Sequence, residues 1–554
     1  VNYLLFTASH RWRVAIGVLA LAAAIFILQL HVRIGPARTR VGISWAPGTS
    51  EAVRQAAETG LGLRDGYQTG PDAWAYHVAD RSRAAVRRII DHPLIVSTDR
   101  IYRAGARVLV VDSRYPRLLL RALEEDLGPP MSLAAALIGF VLLWLERRQL
   151  RQWVDSIHAW PHLELAAAAL CLGIGFAFFY DNGQSVDENV HYDQIRRLAQ
   201  GDRSMNAALT MLPGFHAIVA ALVWPLGVSN FSVRLAVFAL SIATVAAFHW
   251  LARTFQPEHA ASRTLQFTLL PILFPQFFLI YTDVTSVLFV LLMMLAAGKR
   301  RYALAGILGL LSCLVRQDNA VWVVFAAAWS YLRDYGWTWK PAAHLATRYA
   351  TFIATGVAFL LFVAVNHGQV ALGDDVGSHP LRTLHVTNIF FLMFLTSFFF
   401  VPLWWGYRRE IAARLLRWWP WLSLVVLFPI FWFGFVNDHP HNTERADFFL
   451  RNAILIYFSA TPIRKLLFFL PVAFAWLCLP AVPMTRAWRL LYPFTVVFLL
   501  PEWLVEQRYY LIPLSLWLLA REQTPPWTER LQTALFFVMS VGLFVIIERK
   551  WGWM

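Results

Sequence analysis

Apolar runs of roughly 16 to 20 residues recur along the chain, each long enough as a helix to cross a ~30 Å hydrocarbon core. They begin near residue 14, end near residue 547, and are separated by short polar and basic clusters. Segments such as Ala346 to Val365 and Leu531 to Ile547 are continuously apolar. That excludes the ~10-residue alternating strands of a membrane β-barrel and predicts an all-α polytopic membrane protein, a multispanning helical bundle.

The basic clusters orient these spans, because Lys and Arg concentrate on the cytoplasmic side. His10, Arg11 and Arg13 precede the stretch Val14 to Leu30, which lacks a small-residue cleavage site and reads as a retained first span. Residues 31 to 130 then lie outside. Helix-like pieces (Glu51 to Ala57, Arg81 to Ile90) and β-branched runs (Leu94 to Ser97, Arg107 to Val111) give that stretch the look of a small α/β insert. A second span over 131 to 145 leads to cytoplasmic Arg147, Arg148 and Arg151, and 163 to 180 crosses outward. The domain plan is therefore a first helix (1–30), an extracytoplasmic insert (31–130), a second helix with its linker (131–160) and a main membrane domain (161–554).

Lys299-Arg300-Arg301 must be cytoplasmic, which requires one stretch before it not to cross. Residues 207 to 226, interrupted by Pro213 and Pro225, are assigned to the outer face. Continuing, Tyr281-Thr-Asp-Val, Arg316-Gln-Asp-Asn, 366 to 387 and 437 to 450 fall outside. Arg333 to Arg348, Arg408 to Arg417, Arg464-Lys465 and Glu548-Arg549-Lys550 fall inside, after about sixteen crossings of ~20 residues each. This count puts Gln507-Arg508 inside as well.

Composition sharpens the picture. Of the 554 residues 58% are hydrophobic and only 15% charged, which excludes a soluble enzyme and a disordered chain alike. The net charge of +15 is dispersed at span ends, so no nucleic-acid partner is read from it. The lipid bilayer is the partner it implies. Lysine is scarce beside arginine among the 49 cations, a bias that points to a bacterial host. Cys171, Cys313 and Cys478 lie far apart inside apolar segments and indicate neither a disulfide framework nor a zinc site.

Ionisable residues beside spans are costly and tend to be functional, and here they gather outside. Asp187 and Glu188 adjoin the exit of a span, where an acid neighbour and partial desolvation tune a general base. His191 follows four residues later, on the same face of a helix starting there. A solvated loop with an Asp helix cap is the alternative for the pair. Further groups are Tyr281-Thr-Asp283, Arg316-Gln317-Asp318-Asn319, Gly373-Asp374-Asp375, and the stretch Asn437 to Asp447 with Arg451. Asp438, His439 and His441 are metal-ligand types without a diagnostic spacing, so no metal is assigned.

In this order, Asp187-Glu188, Thr210-Met-Leu-Pro213-Gly214, Tyr281-Thr-Asp-Val284, Arg316-Gln-Asp-Asn319 with Val321-Trp322, the Gly-Asp loop at 373, His439-Pro440 and Gln507-Arg508-Tyr509-Tyr510 carry a resemblance. Over roughly residues 163 to 520 the chain resembles the dolichyl-phosphate-glucose-dependent α-1,2-glucosyltransferases, which add the terminal glucose to lipid-linked oligosaccharide. These belong to the GT-C class of multispanning glycosyltransferases. The sequence departs from the family's pattern at Asp318, where Thr is usual, at Asp375-Val376, where a Lys-Ser is usual, and over the first 150 residues.

The resemblance implies a polyprenyl-phosphate-linked hexose, glucose, as donor and a glycan or glycolipid as acceptor at the extracytoplasmic face, the periplasm in a bacterium. The phosphate departs as a stable anion, so no general acid, cofactor or divalent metal is required. What remains is to deprotonate an acceptor hydroxyl, align it and neutralise the phosphate. Asp187 is the expected base, with Glu188 its alternative or positioning partner. Arg316, Arg451 and Arg508 are expected on the phosphate, then His439 and Arg445. His191, Asp283, Gln317, Asp318 and Asp374 are expected to line the substrates. A polymerase or ligase using diphosphate-linked glycans is the nearest rival. A secondary transporter needs paired repeats and mid-span polar groups, which the one-sided distribution lacks.

Overall fold

The computed structural model describes residues 40–46, 48–68, 73–78, 88–89, 92–100, 102–103, 106–107, 162–180, 184, 187–373, 383–439, 442 and 452–548. The expected spans over 14–30 and 131–145 lie outside these, as do most of Arg81 to Ile90, and Asp374, Arg445 and Arg451. The chain divides into two compact units, with the boundary between Pro161 and His162.

In the first unit, strands β1 (Arg40–Trp45), β2 (Leu63–Gln68), β3 (Ala73–Val78) and β4 (Ile95–Arg100) form an antiparallel sheet in the order β2-β3-β1-β4. Helix α1 (Glu51–Gly60) joins β1 to β2. The expected helix at 51 and strand near 95 are present, whereas β1, β2 and β3 had no distinct signal in the sequence. Alternation puts Ile43 and Trp45 of β1 in a small buried core with Leu63, Tyr76 and Ile89. Trp45 Nε1 donates to the Tyr76 hydroxyl at 3.0 Å, so the buried indole is satisfied.

The second unit is helical. It opens with α2 (Leu163–Phe179), α3 (Asp187–Ala199), α4 (Gly214–Val223), α5 (Asn230–Phe255) and α6 (Ala260–Thr268). Then come α7 (Asp283–Gly298), α8 (Tyr302–Val315), α9 (Ala320–Tyr335), α10 (Ala342–Arg348) and α11 (Ala350–Val365). It continues with α12 (Thr387–Phe399), α13 (Val401–Gly406), α14 (Arg408–Leu415), α15 (Trp418–Gly434) and α16 (Ala453–Ser459). It closes with α17 (Pro462–Cys478), α18 (Leu491–Leu499), α19 (Leu511–Ala520) and α20 (Pro526–Glu548).

This is an integral membrane protein of the all-α class. Among the described residues three helices are long and apolar enough to span a bilayer, Asn230–Phe255, Pro462–Ala481 and Pro526–Ile547, or five with the bent pairs α10–α11 and α14–α15 counted. The other apolar helices run 10 to 17 residues. About sixteen full-length crossings were expected; turns and 3₁₀ segments cut many of the apolar runs short.

One long apolar run forms no α-helix and holds only the 3₁₀ segment Phe274–Phe278. Pro271 and Pro275 break the stretch between α6 and α7, whose residues Leu269 to Thr282 are buried. Irregular backbone survives there because protein side chains satisfy it: Ser241 Oγ donates to the Phe277 carbonyl at 2.8 Å and Arg234 Nη1 to that of Phe278 at 2.9 Å. Near the other end of the bundle, Gly306 lets α8 approach α11, since a Cβ there would stand 2.2 Å from Thr351 Oγ1.

The connectivity corrects the sidedness of three segments. Helix α16 has seven residues, about 10 Å of rise, so it cannot carry the chain across. Lys465, at the start of α17, lies over the Trp432 and Phe435 rings at the end of α15, at 5.6 and 5.8 Å. Arg464-Lys465 is therefore on the face that bears residues 437 to 439, not the opposite one. Each later element shifts accordingly: Glu522 N donates to Pro483 O on the far face, and Asn388 Nδ2 donates to the carbonyls of Glu502 and Leu504 on the near one. Gln507-Arg508 thus moves to the near face. So does the end of α20, where Ile546 and Ile547 line a crevice with Gln507.

Candidate active site

Four breaks between helices meet at one place. Asp187 is the first residue of α3 and Asp283 the first of α7. Gln317–Asn319 is a 3₁₀ turn between α8 and α9, and Gln507–Tyr510 another between α18 and α19. Such breaks expose backbone and polar side chains without interrupting a packed span.

Two guanidiniums tie these breaks together. Arg316 Nη1 donates to Asp283 Oδ1 at 2.6 Å and its Nη2 to Asp318 Oδ2 at 2.9 Å. Arg508 Nη2 donates to Glu506 Oε2 at 2.6 Å and to Asp187 Oδ2 at 3.4 Å, while its Nη1 stands 3.8 Å from Asp283 Oδ2. Asp283 thereby bridges both arginines. Arg508 also covers the Tyr281 ring at 4.7 Å and Arg316 the Tyr509 ring at 5.7 Å.

Exposure separates the two acids of the adjacent pair. The Asp187 side chain is 48% exposed, whereas that of Glu188 is 1% exposed. Glu188 Oε1 receives the Ile280 amide at 2.9 Å and Arg234 Nη1 at 3.1 Å. It anchors α3 to α5 and to the buried segment before α7. Of the two carboxylates, only that of Asp187 is open to solvent.

The remaining expected residues divide by role. His191 is buried; its Nδ1 is 2.9 Å from His216 Nε2 and its ring lies edge-on to Tyr281 at 5.7 Å. Burial, with the charges of Arg508 and Arg316, pushes its pKa down to about 3, so it stays neutral and positions Tyr281. Gln317 is a clamp: its Nε2 donates to Thr210 O and Val370 O at 2.8 and 3.0 Å, and its Oε1 accepts Leu212 N. The Gly373 turn packs on the same loop, at a φ of 73° and where a Cβ would stand 2.5 Å from Ala207 O. His439 is buried edge-on to Trp503 at 4.7 Å, and Trp503 Nε1 donates to Asp438 Oδ1 at 2.7 Å. It therefore adjoins the 501–506 loop.

Three participants were missed from sequence. Arg234 lies within the apolar helix α5, and an arginine in a span was itself the signal. Glu502 and Glu506 precede the quoted Gln507-Arg508 motif. Burial, with Asp318 nearby and Arg316 opposing, pushes the Glu502 pKa up to about 7; burial likewise raises that of Glu506 against the pull of Arg508. Five carboxylates thus face two guanidiniums. The cluster carries excess negative charge unless some of these acids hold protons.

The model of the DIE2/ALG10 family matches residues 182–343 and 335–519, the stretch that supplies every element of this cluster. The chain belongs to that family. Among curated relatives, the Dol-P-Glc:Glc(2)Man(9)GlcNAc(2)-PP-Dol alpha-1,2-glucosyltransferase of Rattus norvegicus is 26% identical over 273 residues, 39% of this chain and 57% of the relative. Proteins of the same name from Kluyveromyces lactis and Arabidopsis thaliana are each 26% identical over 48% and 44% of this chain. The chain spans 55% and 63% of those two relatives' lengths. No solved structure matches it significantly. The family match leaves out residues 1–181 and 520–554, so the DIE2/ALG10 resemblance covers the charged cluster but not the strand-containing unit.

Proposed function

We propose that this chain transfers glucose from a polyprenyl-phosphate-glucose to a lipid-linked glycan, at the membrane face that carries Asp187. The observation that carries this reading is the half-exposed Asp187 carboxylate held beside Arg508 and its partner Arg316, within the stretch matched by the family. The relatives' names supply the donor and acceptor classes; the local chemistry supplies the roles.

Asp187 takes the proton of the acceptor hydroxyl as its oxygen attacks the anomeric carbon, and the polyprenyl phosphate leaves from the opposite side. One displacement inverts the anomeric centre. Arg508, already loosely tied to Asp187, swings onto the phosphate and frees the carboxylate to act as base. Arg316, more firmly held by Asp283 and Asp318, adds a fixed positive charge. The step calls for no cofactor or metal, because the donor brings its own leaving group. The face is extracytoplasmic, the periplasmic side if the host is bacterial.

The test is transfer of labelled glucose from short-chain polyprenyl-phosphate-glucose to extracted host glycolipids by the purified full chain, beside Asp187→Asn. Transfer that vanishes in the variant while donor binding persists supports the reading. Folded protein that neither binds nor transfers any hexose from such donors, yet extends a diphosphate-linked glycan, overturns it in favour of a polymerase or ligase.

A further inference from the structure

At the end of the bundle away from Asp187, three ligand-type side chains converge. His162 precedes α2 with a left-handed φ of 65°, Glu164 lies in the first turn of α2, and His249 is buried near the end of α5. One donor atom from each lies within 4.8 Å of the other two, the only such group of His, Cys or acidic residues among the described residues.

Hydrogen bonding sets the ring states. The Thr264 hydroxyl donates to the Ala260 carbonyl at 2.7 Å, so its oxygen accepts from His249 Nδ1 at 3.1 Å. Glu164 Oε1, 3.5 Å from the same nitrogen, reinforces that proton position. His249 Nε2 is then a lone pair, and it faces His162 Nδ1 at 2.9 Å. Arg253 Nη1, a donor only, stands 3.4 Å from that same His162 nitrogen, which favours a lone pair there too. With a lone pair on each nitrogen, a cation between them removes the repulsion that a 2.9 Å separation imposes. An ion ~2.0–2.1 Å from each nitrogen, the usual Zn–N distance, subtends an angle of about 90°.

We propose that His162, Glu164 and His249 bind one borderline transition-metal ion, of the Zn²⁺ class, that pins the start of α2 to α5. Two imidazoles and a carboxylate are the donor set such ions select. Thr264 on His249 Nδ1 supplies the outer-sphere hydrogen bond that metal-bound histidines usually carry. Glu164 turns its carboxylate from His249 Nδ1 to the ion, and exposed Arg253 turns to solvent. The site shares no residue with the Asp187 cluster and does not depend on the proposed transfer reaction.

The full chain, purified in detergent with an affinity tag free of histidine and stripped by a chelator, is titrated with Co²⁺ and then Zn²⁺. The expected result is a ligand-field absorption that saturates at one Co²⁺ per chain, is displaced by Zn²⁺, and is accompanied by a higher melting temperature. His162→Gln, at the partly exposed position, and Glu164→Gln each weaken binding by about tenfold or more while the proteins remain folded and keep glucosyl transfer. No absorption from folded wild-type protein overturns the proposal and leaves a plain N–H···N pair between the rings. So does absorption that both variants retain at unchanged affinity.

Discussion

Two clusters of arginine and carboxylate sit at opposite ends of the bundle, and they are built for different ends. On the far face, Arg521 donates to both Glu529 oxygens at 2.7 Å and to Gln266 Oε1, while Arg263 reaches the carbonyls of Arg521 and Glu522. Thr524 adds two more bonds to Glu529, and the side chains of Arg521, Glu529, Gln266, Arg263 and Thr524 are all buried. Near Asp187 the same residue types are only partly enclosed, the acids outnumber the arginines, and one carboxylate is half open to solvent. A buried, closed ion network holds helices together; an open, unbalanced one leaves a charge to be used. Ion pairs alone do not mark a site. Exposure and imbalance do.

The comparison breaks most sharply if the two clusters respond alike to losing a carboxylate. Asp187→Asn is expected to lower glucosyl transfer by about 10²–10⁴-fold, with the melting temperature unmoved, as for loss of a general base. Glu529→Gln is expected to do the reverse: about 3–5 kcal/mol of stability is lost, because two buried guanidiniums lose their counter-charge, while the folded fraction keeps its turnover. Unfolding in mixed detergent, run beside the transfer assay, reads both. Equal loss of turnover in the two variants would erase the distinction.

A smaller effect separates the neighbours Asp187 and Glu188. Glu188→Gln removes the buried counter-charge 3.1 Å from Arg234, so the main loss should be thermal stability, with turnover per folded molecule reduced far less than in Asp187→Asn. A Glu188→Gln protein that is stable but inactive would move the base to Glu188.

Arg508 and Arg316 sharpen the same point. Arg508→Lys removes the fork but keeps the charge, and is expected to raise the donor KM by roughly tenfold while leaving stability near wild type. Arg316→Lys, which breaks two short bonds to Asp283 and Asp318, should cost stability as well.

The smallest effect is electrostatic. Glu502 has its pKa raised to about 7, among Asp318, Arg316, Tyr509 and Glu506. Below that pH it is protonated and the cluster is less negative; as pH rises through about 7 it ionises and repels the donor phosphate. Donor affinity should therefore fall a few-fold across that range, and Glu502→Gln should flatten the fall. An affinity that rises with pH would contradict this balance of charge.

The sequence alone determined the class of protein, because ~20-residue apolar runs leave the chain no stable state but membrane helices. It also singled out Asp187, Asp283, Arg316 and Arg508, since ionisable residues beside such runs are too costly to keep idle. Counting runs could not say which ones cross. The proline-broken stretch from Leu269 to Thr282 is apolar yet irregular, and only partners such as Ser241 and Arg234 make that tolerable. Nor could the sequence show that seven residues of α16 fail to traverse, the fact that returns Arg508 to the face of Asp187. Tertiary structure also told the adjacent acids apart. Asp187 and Glu188 are neighbours in the chain with the same charge, but helical geometry turns one toward solvent and the other onto Arg234, and burial depends on what lies across from a residue rather than on what lies beside it.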